Sequence, residues 1–100
     1  MRGTVIDPGA KPELYRLPDT LQELQRFMGG YAQRCPISNR FAALFYLPQA
    51  GQSLPTRHYK GRWFYGRLCL VGWRNARMTD LPMPLAEELL QKFTPVEITL

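Results

Sequence analysis

The stretch from Thr20 to Tyr31, TLQELQRFMGGY, constrains the fold more than any other. Thr20 and Glu23 stand at the spacing of a capping box, in which the threonine oxygen accepts from the third helical amide and the glutamate reaches back. Leu21, Leu24, Phe27 and Met28 follow at helical spacing and place an apolar stripe on one face. Gly29–Gly30 offers the left-handed conformation that ends a helix. The pattern predicts a helix over Thr20–Met28, with Tyr31 packing or hydrogen bonding behind the cap. A helix this short buries a single stripe, so the rest of the 100-residue chain must provide the surface beneath it.

That surface reads as β-sheet. Gly3–Ile6 and Glu13–Leu17 are short strand-like runs separated by the turn signal Asp7-Pro8-Gly9, which predicts an N-terminal hairpin. Tyr31–Cys35 reads as a short strand stopped by Pro36. Phe41–Leu47 and Arg67–Val71 are apolar runs of buried-strand length. Pro48–Gly51 reads as a turn and Gln52–Gly61 as a loop. Asp80 is a candidate cap for a second helix carrying Leu85, Leu89 and Phe93 at four-residue spacing. Val96–Leu100 alternates as a last strand, open to weak homo-oligomer formation by edge pairing. No repeat or linker divides the chain. The expectation is an α+β fold: one domain over residues 1–100, a mostly antiparallel sheet with one or two helices on one face.

Composition excludes several classes. At 45% hydrophobic and 21% charged residues the chain is ordinary globular material. No apolar run approaches the roughly 18 residues of a membrane span. Met1–Ile6 soon meets Asp7 and Pro8, unlike a secretory signal, so the expected location is cytoplasmic. Cys35 and Cys69 are the only cysteines and are expected to be reduced, with Cys69 a small buried hydrophobe. With His58 the sole histidine, no zinc-ligand spacing exists, and no metal or other cofactor is expected. No Ser-His-Asp, Cys-His or Gly-rich nucleotide pattern appears, so the reading is non-enzymatic.

The distribution of charge says more than its total of +5. No acid lies between Gln25 and Thr79, a stretch that holds Arg26, Arg34, Arg40, Arg57, Lys60, Arg62, Arg67, Arg74 and Arg77. Such charge calls for phosphates, an acidic protein surface or solvent. Within it, Arg57, Lys60, Arg62 and Arg67 interleave with Tyr59, Trp63, Phe64 and Tyr65, and Arg74 and Arg77 follow Trp73. Cations beside exposed rings suit single-stranded nucleic acid, where phosphates meet charge and bases stack. The same residues equally describe core aromatics with arginines snorkelling over them, or a protein-binding hot spot. The candidate site comprises Arg57, Tyr59, Lys60, Arg62, Trp63, Tyr65, Arg67, Arg74 and Arg77. Nucleic acid is the leading partner, and an acidic host protein is the alternative.

The helix and its ending, Asp19 to Tyr31, resemble the opening of a family of small phage and mobile-element proteins without assigned function, domain-of-unknown-function family 3846. Gly51-Gln52-Ser53-Leu54-Pro55, Tyr65–Gly72 and Met78-Thr79-Asp80-Leu81 are similar to later steps of that pattern. The resemblance implies a bacterial mobile-element setting and a cytoplasmic accessory protein. It implies no reaction.

Overall fold

A computed structural model describes residues 1–37, 39–49 and 54–95. The elements run β1 (Arg2–Ile6), β2 (Glu13–Arg16), α1 (Leu21–Met28), β3 (Gln33–Cys35), β4 (Ala42–Tyr46), β5 (Pro55–Tyr59), β6 (Arg62–Tyr65), β7 (Leu68–Arg74), β8 (Arg77–Thr79), α2 (Met83–Leu90) and β9 (Thr94–Pro95). The main sheet has the order β2-β1-β7-β4-β3, with β8 folded back on the end of β7. A second sheet has the order β6-β5-β9. Every pairing between these strands is antiparallel.

The centre of the main sheet is apolar on both sides, which explains the unbroken Leu68–Val71 run. Successive side chains of a strand alternate between faces. Leu68 and Leu70 therefore join Ile6, Leu44, Tyr59, Phe64 and Leu89 in one core, between the main sheet, the small sheet and α2. Cys69 and Val71 join Val5, Phe45, Leu24 and Met28 in the other, under α1. The molecule is α+β and mostly sheet. The expectation of one or two helices on one face is met by α1 alone, because α2 lies across the opposite face.

Local chemistry sets α1 as expected. Thr20 Oγ1 accepts from the Glu23 amide at 3.2 Å, and Gly29 sits at φ 95° with its amide bonded to the Gln25 carbonyl. Three expectations need correction. Gln52–Gly61 is not all loop, because β5 occupies Pro55–Tyr59 and turns through Lys60 and Gly61 into β6. Asp80 does not cap α2: Pro82 holds that position, and Asp80 instead accepts from the Arg2 amide at 2.6 Å. Tyr31 does not pack behind the helix cap but stands 64% exposed. The strand expected over Val96–Leu100, with its self-association, lies outside the described residues.

Candidate functional site

The nine residues singled out in the sequence do not form one surface. Arg57, on β5, is buried; its Nη1 donates to the Thr56 carbonyl and its Nη2 to the Ala10 carbonyl, each at 2.7 Å. Burial holds its pKa below the ordinary arginine value. Tyr59 is also buried and stacks on Phe93 with ring centres 4.6 Å apart. Arg67 meets Asp7 with both arms of its guanidinium, at 2.8 and 3.1 Å, and lies 4.8 Å above the Phe27 ring. The hydrogen bond that Arg67 donates to Asp7 raises the Arg67 pKa, against the opposing effect of burial. Arg57 and Arg67 pin the β1–β2 turn and the end of α1 to the sheets, and Tyr59 packs the segment after α2, so all three are engaged within the fold.

The other six divide between two hairpins. Lys60, Arg62, Trp63 and Tyr65 belong to the β5–β6 hairpin. Lys60 occupies its turn at φ 48°, Arg62 and Trp63 are exposed, and Tyr65 is half-buried. His58 faces Trp63 across the hairpin with ring centres 4.9 Å apart. Arg74 and Arg77 flank the β7–β8 turn, where Asn75 and Ala76 both take positive φ.

A groove of about 520 Å³ opens beside that second hairpin, on the α1 side of the main sheet. Its floor is Phe45 and Trp73, and its walls include Leu21, Tyr31, Arg34, Arg77 and Met78. It exists because α1 has only eight residues, about 12 Å of helix, too short to cover the whole face. The small Ala32 then carries the chain away into β3. Register places Arg34 opposite Phe45, and the Arg34 guanidinium lies 4.7 Å above the Trp73 ring. Phe45 supports Trp73 from one side at 6.3 Å. Phe41, beneath the Arg40 guanidinium at 4.9 Å, shares a smaller pocket with Trp73 and Arg74.

The electrostatics of the groove are one-sided. Among the described residues Asp19 is the only acid on its lining, and it is occupied by the Met1 ammonium at 2.8 Å. That hydrogen bond and the ammonium's charge keep the Asp19 pKa below the usual carboxylate value. Among the described residues the ion pairs are Met1–Asp19 and Arg67–Asp7, so Arg34, Arg74 and Arg77 have no carboxylate partner.

Sequence reasoning missed Tyr31 and Arg34. Their signal was the pairing of a short strand ending in a buried Cys35 against the Phe41–Leu47 run: with Cys35 turned into one core, its neighbour Arg34 must face the other. Among the described residues no group of His, Cys, Asp or Glu could hold a metal ion, and both cysteines are free and buried. Among the described residues no helix is long and apolar enough to cross a membrane. No family model, curated protein or solved structure matches the chain.

Proposed function

We propose that the protein binds single-stranded nucleic acid in the groove between α1 and the β7–β8 hairpin. One observation carries this reading: Arg34 stacked on Trp73, beside the exposed Tyr31, in an open trough where the one carboxylate among the described residues is already occupied. Tyr31 offers an open face to an unstacked base, the guanidinium of Arg34 lying on Trp73 offers a second planar surface, and Arg34, Arg74 and Arg77 take the phosphates. A duplex cannot use such faces, because its bases are already stacked. As a binding module the chain would serve as an accessory protein, the role implied by its likeness to small mobile-element proteins.

Fluorescence anisotropy with labelled single- and double-stranded oligonucleotides tests the proposal. The expected result is preference for the single strand and a loss of about 1–3 kcal/mol in Trp73→Ala, the usual worth of one base stack. Removing Arg34 and Arg77 together reduces the slope of log affinity against log salt by about 1.4, since each phosphate contact on a single strand contributes about 0.7. Equal or tighter binding to duplex, or variants that bind like the parent, would overturn the reading.

A further inference from the structure

The two exposed basic and aromatic patches lie on opposite sides of the main sheet, yet they meet at its β3 edge. Arg34 points to the α1 side, above Trp73. Its neighbour Cys35 points to the other side, where Arg62 of the small sheet reaches it: Nη1 donates to the Cys35 sulfur at 3.6 Å. The Arg62 guanidinium also lies 4.5 Å above Tyr46 and 5.1 Å from Phe64. Two guanidinium groups thus straddle a single edge strand. Beyond Arg62 the next residue is Trp63, 52% exposed and backed by His58. The strands that carry both patches, β3 to β8, contain no acid, because the whole of Gln25–Thr79 lacks one.

Resting on the groove reading above, we infer that the bound strand does not end at Trp73 but wraps the β3 edge, with Arg34 and Arg62 as consecutive phosphate contacts and Trp63 as a second base-stacking position. The ligand is then a flexible single strand several nucleotides long rather than a mononucleotide. Only an unpaired strand can turn around an edge this thin, since stacked sheets are about 10 Å apart and duplex DNA bends smoothly only over a persistence length of about 150 base pairs. The arrangement also gives a use to the charge of the β5–β6 hairpin, which the groove alone leaves without one.

The two tryptophans, one in each patch, make the inference testable in the intact chain. Fluorotryptophan is incorporated at both positions, and the two fluorine resonances are assigned with Trp63→Phe. The protein is then titrated with oligothymidylates of about 3 and about 12 nucleotides, the longer within the roughly 4–16 nucleotides that a small single-strand-binding fold covers. The expected result is that both lengths shift Trp73 and only the longer shifts Trp63. The longer strand also binds about 5- to 150-fold more tightly, the gain expected from one further stacked base at about 1–3 kcal/mol, and Trp63→Ala removes that gain without weakening the shorter. If Trp73 responds to both lengths and Trp63 to neither, the wrap is wrong and the groove stands. If Trp63 responds to the short strand while Trp73 is silent, the path does not start in the groove and the inference falls. If neither responds, the groove reading falls with it.

Discussion

Gly72→Ala is a perturbation whose sign depends on one close approach. Gly72 lies in β7 beside Trp73, and its φ is outside the left-handed region, so its backbone suits any residue. Without a tertiary obstacle, alanine there would stabilise the fold by about 0.4–1 kcal/mol by restricting the unfolded chain. A Cβ at this position, however, meets the Asp80 carbonyl carbon at 2.8 Å and the Thr79 oxygen at 2.9 Å, and is closer still to the Asp80 oxygen. These are backbone atoms, and the segment is tied down: the Leu81 amide donates to the Arg2 carbonyl at 2.8 Å, and Asp80 accepts from the Arg2 amide. Overpacking against a fixed neighbour costs about 1–3 kcal/mol. The net expectation is a loss of about 1–2 kcal/mol, or about 5–15 °C in Tm for a domain of this size. Gly30→Ala is the matched control, because its Cβ would meet only Leu47 Cδ2, at 3.8 Å. It should leave stability unchanged or raise it by up to about 1 kcal/mol. Urea denaturation followed by circular dichroism measures both. A Gly72→Ala protein as stable as the parent would refute the crossing of the chain at this point, and with it the path from β8 to α2.

Three further outcomes separate framework from site. Arg57→Ala should lose about 1–3 kcal/mol of stability, because two carbonyls lose a charged donor, yet keep the parent's oligonucleotide affinity per folded molecule; thermal melting and anisotropy on one sample decide this. A double-mutant cycle between Arg67 and Asp7 should give a coupling of about 0.5–1 kcal/mol, since both partners are more than a third exposed and water screens them; a value near zero would mean the bidentate contact is not held in solution. Burial pushes the Cys69 thiol from 9.0 up to about 12, with the nearby Arg67 pulling weakly the other way. Below pH 9 the thiol is neutral in both states. Between about 9 and 12 the unfolded chain ionises and the folded one does not, so stability should fall by up to about 1.4 kcal/mol per pH unit. Cys69→Ala should flatten that slope, and an unchanged slope would place the alkaline loss elsewhere.

What could be read from the sequence was what local chemistry or a clean period writes there. α1 is announced by Thr20, Glu23 and Gly29, all within one helix length: Thr20 Oγ1 accepts from the Glu23 amide, and Gly29 takes the left-handed conformation that ends the helix. β4 and β7 are apolar runs whose two covered faces leave no alternation to misread. The small sheet was hidden because a register shift between Pro55 and Arg57 breaks the period of two, and because two consecutive polar residues, Thr56 and Arg57, are both buried. Asp80 resembled a helix cap, but its partner Arg2 is 78 residues away, beyond any local pattern. The site shows the same limit. The sequence locates an acid-free stretch, but it does not say that Arg67 finds Asp7, 60 residues upstream, or that Arg57 turns inward. Nor does it say that Arg34, outside the densest cluster, lies over Trp73. Charge is counted along the chain, whereas availability is settled by strand register.

The groove itself is tested most directly by amide and indole chemical shifts, recorded while a short oligothymidylate is added to the labelled protein near physiological salt. The expected result is that perturbations concentrate on the Trp73 indole N–H, on Tyr31–Arg34 and around Arg77, while β2 and the Arg57 environment stay still. Shifts confined to other surfaces, or none even at low salt where Arg34, Arg74 and Arg77 should attract any polyanion, would contradict the assignment of this groove as the nucleic-acid site.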